Sequence, residues 1–150
     1  EALKNFNYKI FFILPNNDYG AKTIVNKIKV SKMLYTSHLK LADYKTLLKN
    51  CELILGNSSS GIHEAATFKK PAVNIGSRQQ GRFKGKNVID VGNNCNDIQK
   101  GIKKALSNTF YKKIKNIKNP YGSGGSSKKI VQIIKNLKFK KIKIQKQNTY

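Results

Sequence analysis

An α/β fold, a parallel sheet with helices on both faces, is the architecture this sequence predicts. Short apolar, β-rich runs alternate with segments whose apolar residues recur at helical spacing. The runs end in loops rich in Gly, Pro, Asn and Ser. Such alternation builds βαβ units, whose strands pair in parallel and whose helices cover the sheet. Ligands of these sheets sit outside the carboxyl ends of the strands. The loops after Leu14, Leu55, Ile75 and Val91 are therefore the ones to search.

Tyr8 to Leu14 is an apolar run, with Ile10 to Leu14 suited to a buried strand, and it is stopped by the turn cluster Pro15-Asn16-Asn17-Asp18. Tyr19 to Ile28 reads as a helix because Ile24, Val25 and Ile28 share a face. Lys32 to Thr36 is a short second strand. Ala42 to Asn50 is a helix with Tyr44, Leu47 and Leu48 on one side and Asp43 near its positive end. Glu52 to Leu55 is the third strand, Gly56 to Gly61 a tight loop, and Ile62 to Lys69 a helix ended by Pro71. Ala72 to Ile75 and Asn87 to Val91 are the last strands, separated by the Gly76 to Gly85 loop. Asn96 to Leu106 is helical, and a Gly-rich loop from Tyr121 to Ser127 precedes a final helix from Lys128 to Leu137. Residues 1–138 read as one domain and 139–150 as a basic tail.

The net charge of +23 points first to polyanions. Its make-up argues otherwise: 28 of the 30 basic residues are lysines, spread along a chain rich in Asn and Ile. AT-rich coding produces such a bias, so much of the charge is a solvated surface, and a dedicated nucleic-acid role is the minority reading. No run is long enough to span a membrane and no signal peptide is recognisable at the N-terminus. Two cysteines, Cys51 and Cys95, give neither a disulfide framework nor zinc spacing. A cytoplasmic protein without metal or cofactor is expected.

Gly56-Asn57-Ser58-Ser59-Ser60-Gly61 lies between a strand and a helix, where free amides and the helix dipole attract anions. Glycine lets the main chain approach closely, and serine hydroxyls add donors. A phosphate cradle and an ordinary capped loop both fit this pattern. Glu64 follows in the first helical turn. A capping box would need Ser or Thr at position 61, which is glycine. A carboxylate there suits the helix dipole or, beside a phosphate-binding turn, the hydroxyls of a ribose. Arg78 and Arg82, the only arginines, share the Gly76 to Arg82 loop; a guanidinium grips phosphate in two places, which lysine does not. Asn16 and Asp18 serve equally as ligand contacts or turn formers. His38 and the Gly122 to Ser127 loop are weaker candidates, the loop reading equally as an anion site or a connector. No catalytic triad, carboxylate pair or metal cluster assembles, so no catalytic residue is assigned within this chain.

Taken together, Gly56 to Ala65, Pro71 to Arg82 and Asn87-Val88-Ile89 resemble the UDP-N-acetylglucosamine 2-epimerase family, in particular its hydrolysing, N-acetylmannosamine-forming branch. Pro15 to Asp18 and Asn119-Pro120-Tyr121-Gly122 are also similar to that family. The resemblance implies a GT-B-like pair of Rossmann-like domains facing a cleft, with this chain as the C-terminal one. It implies that Ser58 and Ser59 hold the UDP diphosphate, Glu64 takes the ribose hydroxyls and Arg78 lines the site, with Asn57 and Gly61 as further UDP-binding residues of the same loop. It further implies a UDP-sugar substrate, acid–base groups in an N-terminal domain outside this chain, and room for a homodimer. Where the family has Tyr-Gly-Asp-Gly, this chain reads Tyr121-Gly122-Ser123-Gly124. A glycosyltransferase donor domain of the same fold and a basic nucleic-acid-binding module are the alternatives.

Overall fold

The computed structural model describes residues 1–4 and 6–137. The expected basic tail, 139–150, lies outside the described residues. Among the described residues eleven elements follow one another: β1 (Phe11–Ile13), α1 (Ala21–Val30), β2 (Leu34–Thr36), α2 (Leu41–Asn50), β3 (Ile54–Gly56), α3 (Ser60–His63), β4 (Ala72–Ile75), β5 (Val88–Val91), α4 (Cys95–Ala105), α5 (Asn108–Ile114) and α6 (Ser126–Asn136). Among the described residues no helix is long and apolar enough to cross a membrane.

Among the described residues all strand pairs are parallel, in two sheets: β1 beside β2, and β3-β4-β5. The second sheet holds the core. In β4, Ala72, Val73 and Asn74 are all buried, because successive side chains point to opposite faces and both faces are covered. On one face α3 approaches so closely that a Cβ on Gly61 would lie 3.3 Å from that of Ala72. On the other face α4 lies over Val73 and Val91; a Cβ on Gly101 would stand 2.6 Å from a Val91 methyl. Helices on both faces of a parallel sheet are thus realised around β4. Ile62, Ile102 and Ile114 are almost fully buried, each contributing on the order of 1.5–3 kcal/mol through burial.

The first sheet departs from expectation. Phe11 and Ile13 are 40% and 43% exposed and Leu34 is 64% exposed, so the predicted buried strand is not buried. β1 and β2 form a pair of their own, so each has a partner on one side only. Their apolar side chains lack the cover that α3 and α4 give to β4.

Two helices are set by local capping. Asn94 accepts a hydrogen bond from the Asp97 amide at 2.9 Å at the start of α4, and Ser107 accepts from the Phe110 amide at 3.2 Å at the start of α5. The capping serine and the spacing of Phe110 and Ile114 were the signals for α5, which the sequence reading did not assign.

Candidate functional site

The loop after β3 delivers Asn57, Ser58 and Ser59 to the carboxyl end of the core sheet, and α3 begins at Ser60. Gly56 takes φ +143°, a backbone conformation that side chains oppose. The Ser58 hydroxyl accepts from the Ser60 amide at 3.3 Å. Among the described residues the amides of Ser58 and Ser59 donate to no protein acceptor, and the Ser59 side chain makes no capping bond. Two main-chain donors and the Ser59 hydroxyl are therefore uncommitted at one turn. That arrangement suits an anion.

The helix behind this loop is much shorter than the expected Ile62 to Lys69 segment. It stops at His63. Asn119 donates to the His63 carbonyl at 2.7 Å, taking the acceptor that the Thr67 amide would use in a continuing helix. Thr67 bonds the Glu64 carbonyl instead, at 2.9 Å, and residues 64–69 run on as turns. Glu64 consequently caps the C-terminus of α3 rather than occupying a first turn. Its side chain is exposed. With one turn of helix, the macrodipole adds little, and the free amides supply the local positive potential.

Around α3 the polar groups interlock. The hydroxyls of Tyr44 and Ser60 are hydrogen-bonded, joining α2 to the start of α3. Burial pushes the Tyr44 hydroxyl above its ordinary pKa; the bond to Ser60 opposes this and the nearby Glu64 charge reinforces it. Glu64 and the Ser60 turn thus share one neighbourhood. Asn119 also donates to the Thr67 hydroxyl at 2.7 Å and accepts from the Tyr121 amide at 2.9 Å. The Tyr121 ring packs against His63 with centroids 4.4 Å apart, and its hydroxyl donates to the Phe83 carbonyl at 2.8 Å.

The arginine loop abuts the serine loop through a residue the sequence reading did not single out. Gln79, buried, donates to the Asn57 carbonyl at 2.7 Å. Arg78 itself is exposed and donates to Asp18 at 3.0 Å, linking the loops after β4 and β1. Nearby, Asn74 and Lys84 both donate to Asp90, at 2.7 Å and 2.8 Å. Burial raises the Asp90 pKa, but the bonds from Lys84 and Asn74 outweigh it and hold the carboxyl below its ordinary value. Among the described residues no side-chain hydrogen bond ties Arg82, His38 or the Gly122 to Ser127 segment to the serine loop; His38 bonds Thr36 instead. A narrow cavity between β3, α3 and β4 is lined by Ser58, Gly61, Ile62 and Asn74 among others.

The chain is similar to known proteins. Residues 1–135 match the UDP-N-acetylglucosamine 2-epimerase family. The chain is 36% identical over 148 residues to the UDP-N,N'-diacetylbacillosamine 2-epimerase (hydrolyzing) of Legionella pneumophila, covering 96% of this chain and 38% of that protein. It is 34% identical over 132 residues to the Polysialic acid biosynthesis protein P7 of Escherichia coli, covering 85% and 34%. Its fold is similar to that of Methanocaldococcus jannaschii UDP-GlcNAc 2-epimerase in complex with UDP-GlcNAc and UDP, with TM-score 0.70, 23% identity, and coverage of 89% and 37%. The chain therefore spans under two fifths of the length of these relatives. Its sequence and its GT-B-like fold agree: the chain belongs to the UDP-N-acetylglucosamine 2-epimerase family.

Proposed function

We propose that this chain is the UDP-binding half of a hydrolysing UDP-N-acetylglucosamine 2-epimerase, with residues 1–138 forming the nucleotide-binding domain. The observation that carries this reading is the pair of uncommitted amides at Ser58 and Ser59, at the carboxyl end of β3. These donors and the serine hydroxyls bind the diphosphate, Arg78 neutralises its charge, and Glu64 accepts hydrogen bonds from the ribose diol. Asn57 and Gly61 complete the UDP-binding set, Asn57 in the turn and Gly61 in the first turn of α3. The resemblance in Gly56 to Ala65 and Pro71 to Arg82 supports each assignment.

In the hydrolysing reaction, the C2 proton and UDP are eliminated across C1–C2 of the sugar. Water then adds to the unsaturated intermediate and the free 2-epimer is released. Holding the diphosphate stabilises the leaving group as its charge develops. A second, N-terminal half supplies the acid–base groups in this proposal. The names of the Legionella and E. coli relatives support a role in making precursors of sialic-acid-type sugars, from UDP-N-acetylglucosamine or a diacetylated relative.

The test is thermal unfolding with and without UDP. Ligand at about one hundred times Kd adds about 2.7 kcal/mol, which raises the midpoint by roughly 5–10 °C in a domain of this size. Arg78→Ala or Glu64→Ala removes most of that shift. A melting curve indifferent to saturating UDP contradicts the proposal.

A further inference from the structure

Gln79 is 3% exposed although its neighbours Arg78 and Gln80 are both exposed. Its Nε2 donates to the Asn57 carbonyl at 2.7 Å, while its Oε1 is buried with no partner among the described residues. Burying an amide whose second polar atom is unpaired is costly, and ordering a long side chain adds to that cost. An apolar side chain such as Met would fill the space without either penalty. The position therefore uses the one thing Met lacks, a donor to Asn57.

The Asn57 carbonyl and the Ser58 amide belong to a single peptide plane. In a planar trans peptide the C=O and the N–H point in opposite directions. A donor that fixes the carbonyl on one side consequently aims the N–H to the other. The Ser58 amide is one of the two uncommitted donors of the turn, and Gln79 follows Arg78 directly in the chain. We infer that Gln79 is a positioning residue: by holding the Asn57 carbonyl it aims the Ser58 N–H at the ligand diphosphate and keeps the Arg78 loop against the serine loop. This rests on the UDP reading above, and it adds a residue that touches no ligand.

The experiment measures UDP and uridine binding by calorimetry for the 150-residue chain and for Gln79→Met and Gln79→Glu. Both variants lack the donor; Gln79→Glu keeps the shape and sets a carboxyl oxygen against the Asn57 carbonyl. The expected result is UDP affinity weakened about tenfold, the scale of one charge-assisted hydrogen bond. Uridine, which has no phosphate, loses less than about twofold. A merely structural role lowers the unfolding midpoint but weakens UDP and uridine equally or not at all, and that outcome overturns the inference. Where Gln79→Met fails to unfold cooperatively, Gln79→Glu is read in its place; if both fail, the amide's role is in folding, which also overturns it. Normal UDP binding by the parent chain with unaffected variants removes the tether alone, whereas a parent chain that binds no UDP removes the nucleotide reading as well.

Discussion

Arg78 and Asp18 form an ion pair at 3.0 Å that ties the loop after β4 to the loop after β1. Both side chains are more than half exposed, at 55% and 58%, so the pair contributes only about 0.2–1 kcal/mol. In the proposed site a diphosphate offers Arg78 a doubly bonded partner in place of one carboxylate oxygen. Asp18 then competes with the ligand. Asp18→Asn is expected to tighten UDP binding by about two- to fivefold and to leave uridine binding unchanged, as read by calorimetry. Weaker UDP binding in that variant would show that Asp18 orients Arg78 rather than occupying it.

The closeness of α4 to the core sheet depends on glycine at position 101. A Cβ there meets Val91 at 2.6 Å and Val73 at 3.2 Å, both methyls of stiff, β-branched side chains. Gly101→Ala gains helix propensity but overpacks this contact, for a net loss of about 1–2 kcal/mol. Urea unfolding measures it, with Lys103→Ala on the exposed side of the same helix as a neutral control. An unchanged midpoint for Gly101→Ala would place α4 farther from the sheet.

Asp90 confers an acid-side dependence on stability. Its folded pKa lies below the ordinary 3.8 because Lys84 and Asn74 bond the ionised carboxylate against the opposing influence of burial. A carboxyl whose pKa is depressed on folding stabilises the native state above its unfolded value, and that contribution disappears as pH falls through the folded value. Asp90→Asn is therefore less stable than the parent at neutral pH. The gap between the two closes below about pH 4. Urea midpoints across pH 2.5 to 7 test this, and a gap that persists at the acid end would contradict it.

Asn119 stands at the junction of three segments. It holds the His63 carbonyl, the Thr67 hydroxyl and the Tyr121 amide. Asn119→Ala leaves these groups without their partner and is expected to cost about 1–3 kcal/mol in urea unfolding. It also frees the His63 carbonyl to continue the helix, so amide exchange at Thr67 should slow relative to its neighbours.

How far the sequence revealed these features follows from the range of the interactions involved. The parallel sheet with helices on both faces was legible because β4 and the strands beside it are short apolar runs between loops, a pattern that burial imposes locally. The serine loop was legible for the same reason, since its glycines and hydroxyls are contiguous. The length of α3 was not, because it is set by Asn119, which lies 56 residues from the His63 carbonyl it captures. Nor was the role of Gln79, whose partner Asn57 is 22 residues away and offers only a backbone carbonyl. β1 misled in the opposite direction: Phe11 to Ile13 is apolar enough for a core strand, yet burial depends on elements packing over it, and those contacts are not written in the strand.

In the proposed site the turn at Ser58 and Ser59 receives the diphosphate of UDP. A titration of the isotope-labelled chain with UDP, followed amide by amide by NMR, tests it most directly. The Ser58 and Ser59 amides are expected to show the largest downfield shifts, with Glu64 and Arg78 also perturbed, while uridine leaves the two serine amides in place. Shifts confined to the lysine-rich surface, or none at Ser58 and Ser59 at saturating UDP, would contradict it.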